Sequence, residues 1–254
     1  MSELTDYYIK MQRESSPNLD ISHRCILRCP QCLRQKVEGQ SRIQRSFELE
    51  PHNFQKILDY YDNCITFCGQ ISDPIYHPKF LQFLKMCDGS GKGIRVATNG
   101  TLGPRMDMSF YEEAYKYCKG EISWYFGVDG LDKKSEIYRI GSNFEQVWEA
   151  MRLGVKMGHA IVWQYIIFGY NEHEVEQAKE IAEKEGFTLL LIKTNRGFDP
   201  RSRNLRGNIK KAYENFPVPS DKNRVKKIKN EEYFNVTPEL AHWRKVREGL
   251  IKWI

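Results

Sequence analysis

Three cysteines fall within eight residues, at Cys25, Cys29 and Cys32. Thiolates are soft ligands, and three on one short loop suit a metal or an iron–sulfur centre. No fourth cysteine stands in register with them, so the centre keeps one position open. Structural sites usually close their coordination, whereas open positions serve chemistry. The competing reading is a zinc knuckle, which asks for a fourth ligand; His23 is near but lies only two residues before Cys25. The other four cysteines, Cys64, Cys68, Cys87 and Cys118, sit in apolar segments. For these, ordinary core packing is the adequate account.

The elements that must position the loop alternate regularly. A first strand near Leu19–Ser22 precedes the cysteines, and Asn53–Tyr61 reads as a helix with Phe54, Ile57, Leu58 and Tyr61 at helical spacing. Strands are expected at Cys64–Cys68, Gly93–Ala97, Ile122–Val128, Ile161–Phe168 and Thr188–Lys193. Helices are expected at His77–Cys87, Phe110–Cys118, Phe144–Met157 and Glu172–Glu185. Strands alternating with helices imply parallel βαβ units, and right-handed crossovers leave a barrel, a partial barrel or a doubly wound sheet. Each distinctive polar cluster follows a strand: Cys25–Cys32, Gly69–Pro74, Thr98–Gly100, Asp129–Gly130 and Gly169–Asn171. In a barrel those turns converge on one face, where barrel enzymes carry their sites. Of Trp163 and Gln164, alternation sends only one inward.

Composition narrows the class. The 254 residues carry 41% hydrophobic and 13% aromatic side chains, enough for a substantial core. No apolar run reaches the roughly 18 residues of a membrane span, and the polar start MSELTDYYIKMQRESS does not read as a secretory signal. Seven cysteines, none after Cys118, fit a reducing cytoplasm better than a disulfide framework. The net charge of +6 is local. Residues 201–229 hold ten basic side chains against Glu214 and Asp221, or +8, which leaves 6 − 8 = −2 for the rest. This stretch is a solvated face, or it binds phosphate groups, nucleic acid or an acidic electron donor. Residues 238–254 regain helical spacing, with Leu240, Trp243, Val246, Leu250 and Trp253.

Cys25-x3-Cys29-x2-Cys32 after a first strand, in a six-fold β/α chain, resembles the radical S-adenosylmethionine (radical SAM) enzymes. Further segments match in order. Gly69–Pro74 with His77-Pro78 resembles the family's glycine-rich GGEP segment, with Asp73 in place of the usual glutamate. Thr98-Asn99-Gly100 resembles the TNG turn of the branch that includes molybdenum-cofactor synthases and peptide maturases. Gly127-Val-Asp129-Gly130-Leu131 with Tyr138-Arg139 resembles that branch's SIDG(L)…R segment, and Phe168-Gly169-Tyr-Asn171 the segment after the fifth strand.

The resemblance implies a partial (β/α)6 TIM-like barrel over residues 19–195, after an N-terminal extension 1–18 and before a basic loop and amphipathic helix, 196–254. It implies a [4Fe–4S] cluster on Cys25, Cys29 and Cys32, with S-adenosylmethionine (SAM) on the fourth iron. Asp73, Asn99, Arg139 and Asn171 are the expected SAM-side residues. It further implies a one-electron donor such as flavodoxin or ferredoxin. Two departures stand out: Gln31 replaces an aromatic residue that packs on adenine, and Gly127 replaces a serine that contacts the SAM carboxylate. The C-terminal region also lacks the cysteines of a SPASM-type auxiliary-cluster extension. The favoured substrate is a peptide or protein side chain. The alternatives are a nucleotide-like or phosphorylated metabolite, including deazapurine formation, and a non-catalytic, metal-stabilised nucleic-acid-binding protein.

Overall fold

The computed structural model describes residues 3–194, 219–224 and 231–236. Its centre is one seven-stranded sheet whose strands lie in sequence order. These are β1 (Asn18–Leu19), β2 (Cys64–Phe67), β3 (Gly93–Thr98), β4 (Ile122–Gly127), β5 (Ala160–Ile167), β6 (Thr188–Lys193) and β7 (Glu231–Phe234). The first six are parallel, each beside its predecessor; β7 returns antiparallel to β6. Among the described residues β1 and β7 do not pair, so the sheet curves without closing. The expected partial barrel is therefore present, with one strand more than the sequence announced.

Helices α3 (Pro51–Tyr60), α4 (Phe80–Cys87), α5 (Ser109–Ala114), α6 (Phe144–Lys156) and α7 (Val175–Glu185) follow the chain between strands. They cover the outer face, where Phe80, Phe83, Tyr111, Tyr115, Trp124, Trp163 and Tyr165 are buried in one apolar layer. Both faces of the middle strands are apolar, as in parallel sheets covered on both sides. The inner face holds Tyr125, Val162 and Leu190, joined by Ala97, Ile192 and Tyr233. Trp163 points outward against Trp148 and donates to Val128 O (2.7 Å), which leaves Gln164 as the inward residue.

Several boundaries differ from expectation for identifiable reasons. The first strand stops at Leu19, because Ser22 bridges to Glu48 and Ile21 O accepts from Leu49 N (2.8 Å). The segment bearing Glu48 thus replaces β2 as partner. The helix expected from His77 begins at Phe80: Pro78 holds His77 extended (ψ 127°), and His77 Nδ1 accepts Lys79 N. The helix expected over Phe110–Cys118 ends at Ala114, with Cys118 in the left-handed region (φ 56°). Residues 172–174 form a tight 3₁₀ turn before α7. Two further helices, α1 (Glu3–Arg13) and α2 (Val37–Arg42), were not anticipated. The first ends in a surface ion pair between Arg13 and Asp62 (3.0 Å), just after α3. The helix expected at 238–254 and most of the basic stretch lie outside the described residues. Within that stretch, Ser220 and Asn223 are anchored on Glu172 at 2.7–2.9 Å.

Candidate functional site

The cysteine loop lies across the C-terminal edge of β2 and β3, pinned from three sides. Arg34 Nη1 donates to His23 O (2.8 Å) and Ile71 O (2.7 Å), stapling the loop to the turn after β2. Asp73 N donates to Arg24 O (2.8 Å), and Arg28 N to Ile140 O (2.9 Å). The turn after β2 is itself fixed to β1, since Asp20 accepts Ser72 Oγ (2.6 Å) and Gln70 N (3.1 Å). Gly69 is required there: a Cβ would fall 2.4 Å from Ser72 O.

Cys25, Cys29 and Cys32 all line one cavity of about 550 Å³ at the mouth of the sheet. The cavity also receives Asp73, Asn99, Arg139, Gln164, Thr194 and Glu231. The fit to a metal centre can be judged from the thiols. One zinc ion with Zn–S bonds of ~2.3 Å would draw its sulfurs to about 3.8 Å of one another. Among the described residues no three His, Cys, Asp or Glu side chains converge so closely that they could hold a single ion. Three thiols spread around one cavity suit a polynuclear cluster, in which each cysteine ligates a different iron. As a thiol Cys25 keeps its proton: burial first, then the charge of Asp73, push it up to about 12. Ligation must therefore release that proton.

Asp73 is buried beneath the cavity floor. Its Oδ1 accepts from Thr98 Oγ1 (2.8 Å) and Ile75 N (3.3 Å), and its Oδ2 from Asn99 N (2.6 Å) and Asn99 Nδ2 (2.5 Å). Four donors fill the roughly four acceptor positions of a carboxylate. Burial raises this acid to about 6, against the lowering effect of those donors and of Arg139. Asn99 Nδ2 also lies 3.9 Å from Cys25 Sγ, while Asn99 Oδ1 accepts Thr101 N (2.9 Å). The TNG turn thus joins the carboxylate to the cysteine loop.

Arg139 enters from the opposite wall. Its Nε lies 2.8 Å from Asp129 Oδ2, and both side chains are nearly or wholly buried. The Nε–H is not aligned as a hydrogen bond on that oxygen, so charge rather than direction holds the pair. Burial opposes the guanidinium charge, but Asp129 and Cys29 outweigh it and hold its pKa above the usual arginine value. Gly127 makes the arrangement possible, because a Cβ there would fall 2.2 Å from Arg139 Nη2. The guanidinium fills the space that a serine would occupy.

Of the four expected SAM-side residues, the cavity gathers Asp73, Asn99 and Arg139. Asn171 is elsewhere: it is wholly buried, its Oδ1 accepts Phe168 N (2.7 Å), and its Nδ2 donates to Asp129 O (2.8 Å) and Ile166 O (3.0 Å). Its amide is spent holding the turn after β5 against the Asp129 turn. Gln31 is buried with Nε2 unpartnered. Aromatic packing beside Cys29 comes instead from Tyr138, Phe168 and Tyr170. Cys68 departs from the core reading given to it. Unlike Cys64, Cys87 and Cys118, which are buried, it follows β2 on the inward side and lines the cavity. Glu231 and Thr194 were missed altogether; Glu231 pairs with Ile192 across the β6–β7 ladder and so shares its inward face.

A partial barrel with three thiols around one mouth cavity is the scaffold of an iron–sulfur enzyme that keeps one iron open. The sequence model of the Radical SAM superfamily matches residues 19–183, most of this chain, which therefore belongs to that superfamily. Membership implies a [4Fe–4S] cluster and SAM as its cofactors. Streptococcus suis SuiB bound to S-adenosylmethionine shares the fold, with a TM-score of 0.57 at 13% identity over 98% of this chain and 51% of that one. The structure of anSMEcpe with bound AdoMet gives a TM-score of 0.51 at 15% identity, over 68% of this chain and 49% of that one. The tungsten-containing aldehyde ferredoxin oxidoreductase cofactor-modifying protein of Pyrococcus furiosus is 31% identical over 88 residues, 33% of this chain and 23% of that protein. The chain thus spans about half the length of these structural relatives and matches about a quarter of the curated one. No helix among the described residues is long and apolar enough to cross a membrane.

Proposed function

We propose that this radical SAM enzyme binds SAM between Asp73–Asn99 and Arg139 and takes hydrogen from a peptide or protein side chain. The observation that carries the reading is the common cavity: the three thiols, the Asp73 carboxyl and the Asp129-paired Arg139 guanidinium are its walls. When bound, the cluster supplies one electron to SAM, whose cleavage yields methionine and a 5′-deoxyadenosyl radical able to abstract hydrogen. The chain's own residues do the rest. Arg139, held by Asp129, presents N–H donors to the SAM carboxylate, a pairing that suits two parallel bonds. Asp73 supplies the negative charge for the ammonium. Its acceptor positions are filled, so Asn99 Nδ2 is the donor that must yield to it. The inner apolar face of Tyr125, Val162, Leu190 and Tyr233 keeps water from below. On the substrate side stand Gln164, Thr194 and Glu231, none of which is needed by the cysteines.

A peptide substrate is supported by SuiB, whose structure with its precursor peptide SuiA shares this fold at a TM-score of 0.55. The match to a cofactor-modifying protein favours the second reading, a small cofactor-like metabolite. The deciding experiment compares extracts of cells carrying the active enzyme with extracts carrying Cys29→Ala, by mass spectrometry of peptides and of metabolites. A mass change confined to a peptide supports the first reading; one confined to a small molecule replaces it with the second. Purified protein that stays colourless, holds one zinc and yields no 5′-deoxyadenosine from SAM with dithionite would overturn both.

A further inference from the structure

A second hollow lies on the other side of the cysteine loop. It is an open groove of about 910 Å³, lined by Arg24, Arg34, Arg45 and Arg105 above an apolar floor that includes Phe110. Cys25 is the one residue that lines both this groove and the SAM-side cavity. No carboxylate is among the described residues lining the groove. Arg24 is paired with Glu48 just outside it, and Arg34 is committed to backbone carbonyls. Arg45 and Arg105 are exposed and engage no described carboxylate. The wall between the two hollows is the Asp73–Tyr76 turn, locked by the Tyr76 hydroxyl, which donates to Thr101 O (2.6 Å) and lies 3.1 Å from Asn99 Oδ1.

We infer that this groove is the docking site of the one-electron donor, a small acidic flavin or iron–sulfur protein, and that the electron enters past Cys25. The inference rests on the radical SAM reading. Charge complementarity selects the partner: two unpaired arginines and no lining acid attract an acidic surface and steer its approach. The separation of the hollows selects its role. A substrate C–H bond must touch the radical, so it belongs in the cavity that all three cysteines line. An electron needs only proximity, so it can arrive from the other side of a ligand without entering that cavity. In the step, the reduced flavin or iron–sulfur centre of the donor loses one electron and the cluster gains it; no proton or bond is transferred.

The test uses cluster-loaded wild-type enzyme and the Arg45→Glu/Arg105→Glu variant, with reduced flavodoxin as the protein donor and dithionite as the small one. Binding of oxidised flavodoxin is measured separately by calorimetry at several salt concentrations. Flavodoxin-driven 5′-deoxyadenosine formation should fall about tenfold or more at low salt in the variant. Flavodoxin binding should weaken in parallel and lose its salt dependence, while dithionite-driven formation stays at the wild-type level. Unchanged flavodoxin binding and rate would overturn the docking site. So would an equal fall with both donors, or a fall in substrate turnover under dithionite, which would make the groove a substrate channel. Wild-type protein that fails with dithionite would instead sink the radical SAM reading, so the two failures are distinct.

Discussion

Gly127→Ala tests how Arg139 is held. The new Cβ would lie 2.2 Å from Nη2 and 2.3 Å from Cζ, whereas ordinary contact begins at 3.4 Å. The guanidinium must retreat by about 3.4 − 2.2 = 1.2 Å. It cannot move closer to Asp129, since the ion pair already measures 2.8 Å, so the pair lengthens to about 4 Å. With an effective dielectric of about 20, the attraction falls from about 6 to about 4 kcal/mol. A loss of about 2 kcal/mol corresponds to roughly thirty-fold in an equilibrium constant. The variant should therefore lose about that much stability and bind SAM ten- to thirty-fold more weakly, measured by thermal denaturation and by equilibrium dialysis on cluster-loaded enzyme. Gly127→Ser should behave alike, even though serine is the residue expected there in similar enzymes, because the guanidinium already fills its place. The control is a background in which Arg139→Ala and Asp129→Asn remove the pair together. There Gly127→Ala should be nearly neutral, since contacting residues couple and separated ones do not. Wild-type SAM affinity in the single variant, or an equal cost in both backgrounds, would refute the reasoning.

The remaining predictions concern the loop and the buried acid. Alanine at Cys25, Cys29 or Cys32 should give colourless protein without SAM cleavage, whereas Cys68→Ala should keep its iron, as read by iron analysis. Arg34→Ala removes two charged hydrogen bonds to His23 O and Ile71 O. It should cost about 2–3 kcal/mol, lower Tm by roughly 5–10 °C and reduce iron per chain; unchanged Tm and iron would rule out the staple. Asp73, raised to about 6 by burial, attracts an ammonium only as the carboxylate. SAM affinity of the free enzyme should be level above pH 6 and fall about tenfold per unit below it; a flat calorimetric profile to pH 5 would remove Asp73 from the SAM site. Because its native pKa lies above the ordinary 3.8, the folded state holds a proton that the unfolded state has lost between about pH 4 and 6. Asp73 therefore lowers stability as pH rises through that window, the opposite of a salt-bridged aspartate.

What could be read from the sequence followed from local pattern. The six parallel strands were legible because buried apolar runs alternate with helices, and Thr188–Lys193 was placed without error. The turns after the strands marked the segments that hold Asp73 and Asn99, whereas Arg139 was singled out only by the resemblance to radical SAM enzymes; all three line one cavity. The misses were long-range. Strand β7 lies some 40 residues beyond β6, just past the basic stretch 201–229, and its four residues EEYF are too short a run to mark a strand, so Glu231 carried no local signal. Asn171 sits at the right point in the chain, yet its amide turns inward to three backbone groups. Sequence order gives the turn but not the rotamer. The replacement of serine by Gly127 looked like a lost contact, and only the position of Arg139 reveals it as room made for a guanidinium.

One short turn carries two demands that pull against each other. Radical chemistry needs a sealed cavity, and cluster reduction needs an approach from outside. The Asp73–Tyr76 turn serves both because its ends face different hollows. Asp73 faces the cavity lined by the three cysteines, with Thr98 and Asn99 gripping its carboxylate. Ile75 and Tyr76 face the arginine groove. Asn99 links the two ends, since it bonds Asp73, lies 3.1 Å from the Tyr76 hydroxyl and reaches within 3.9 Å of Cys25 Sγ. If SAM's ammonium displaces Asn99 Nδ2 from Asp73, the amide freed on one side of the wall is the same one that touches Tyr76 on the other. SAM binding and donor docking are then coupled through a single side chain. Coupling of that kind is reciprocal: whatever factor SAM adds to donor affinity, the donor must add to SAM affinity.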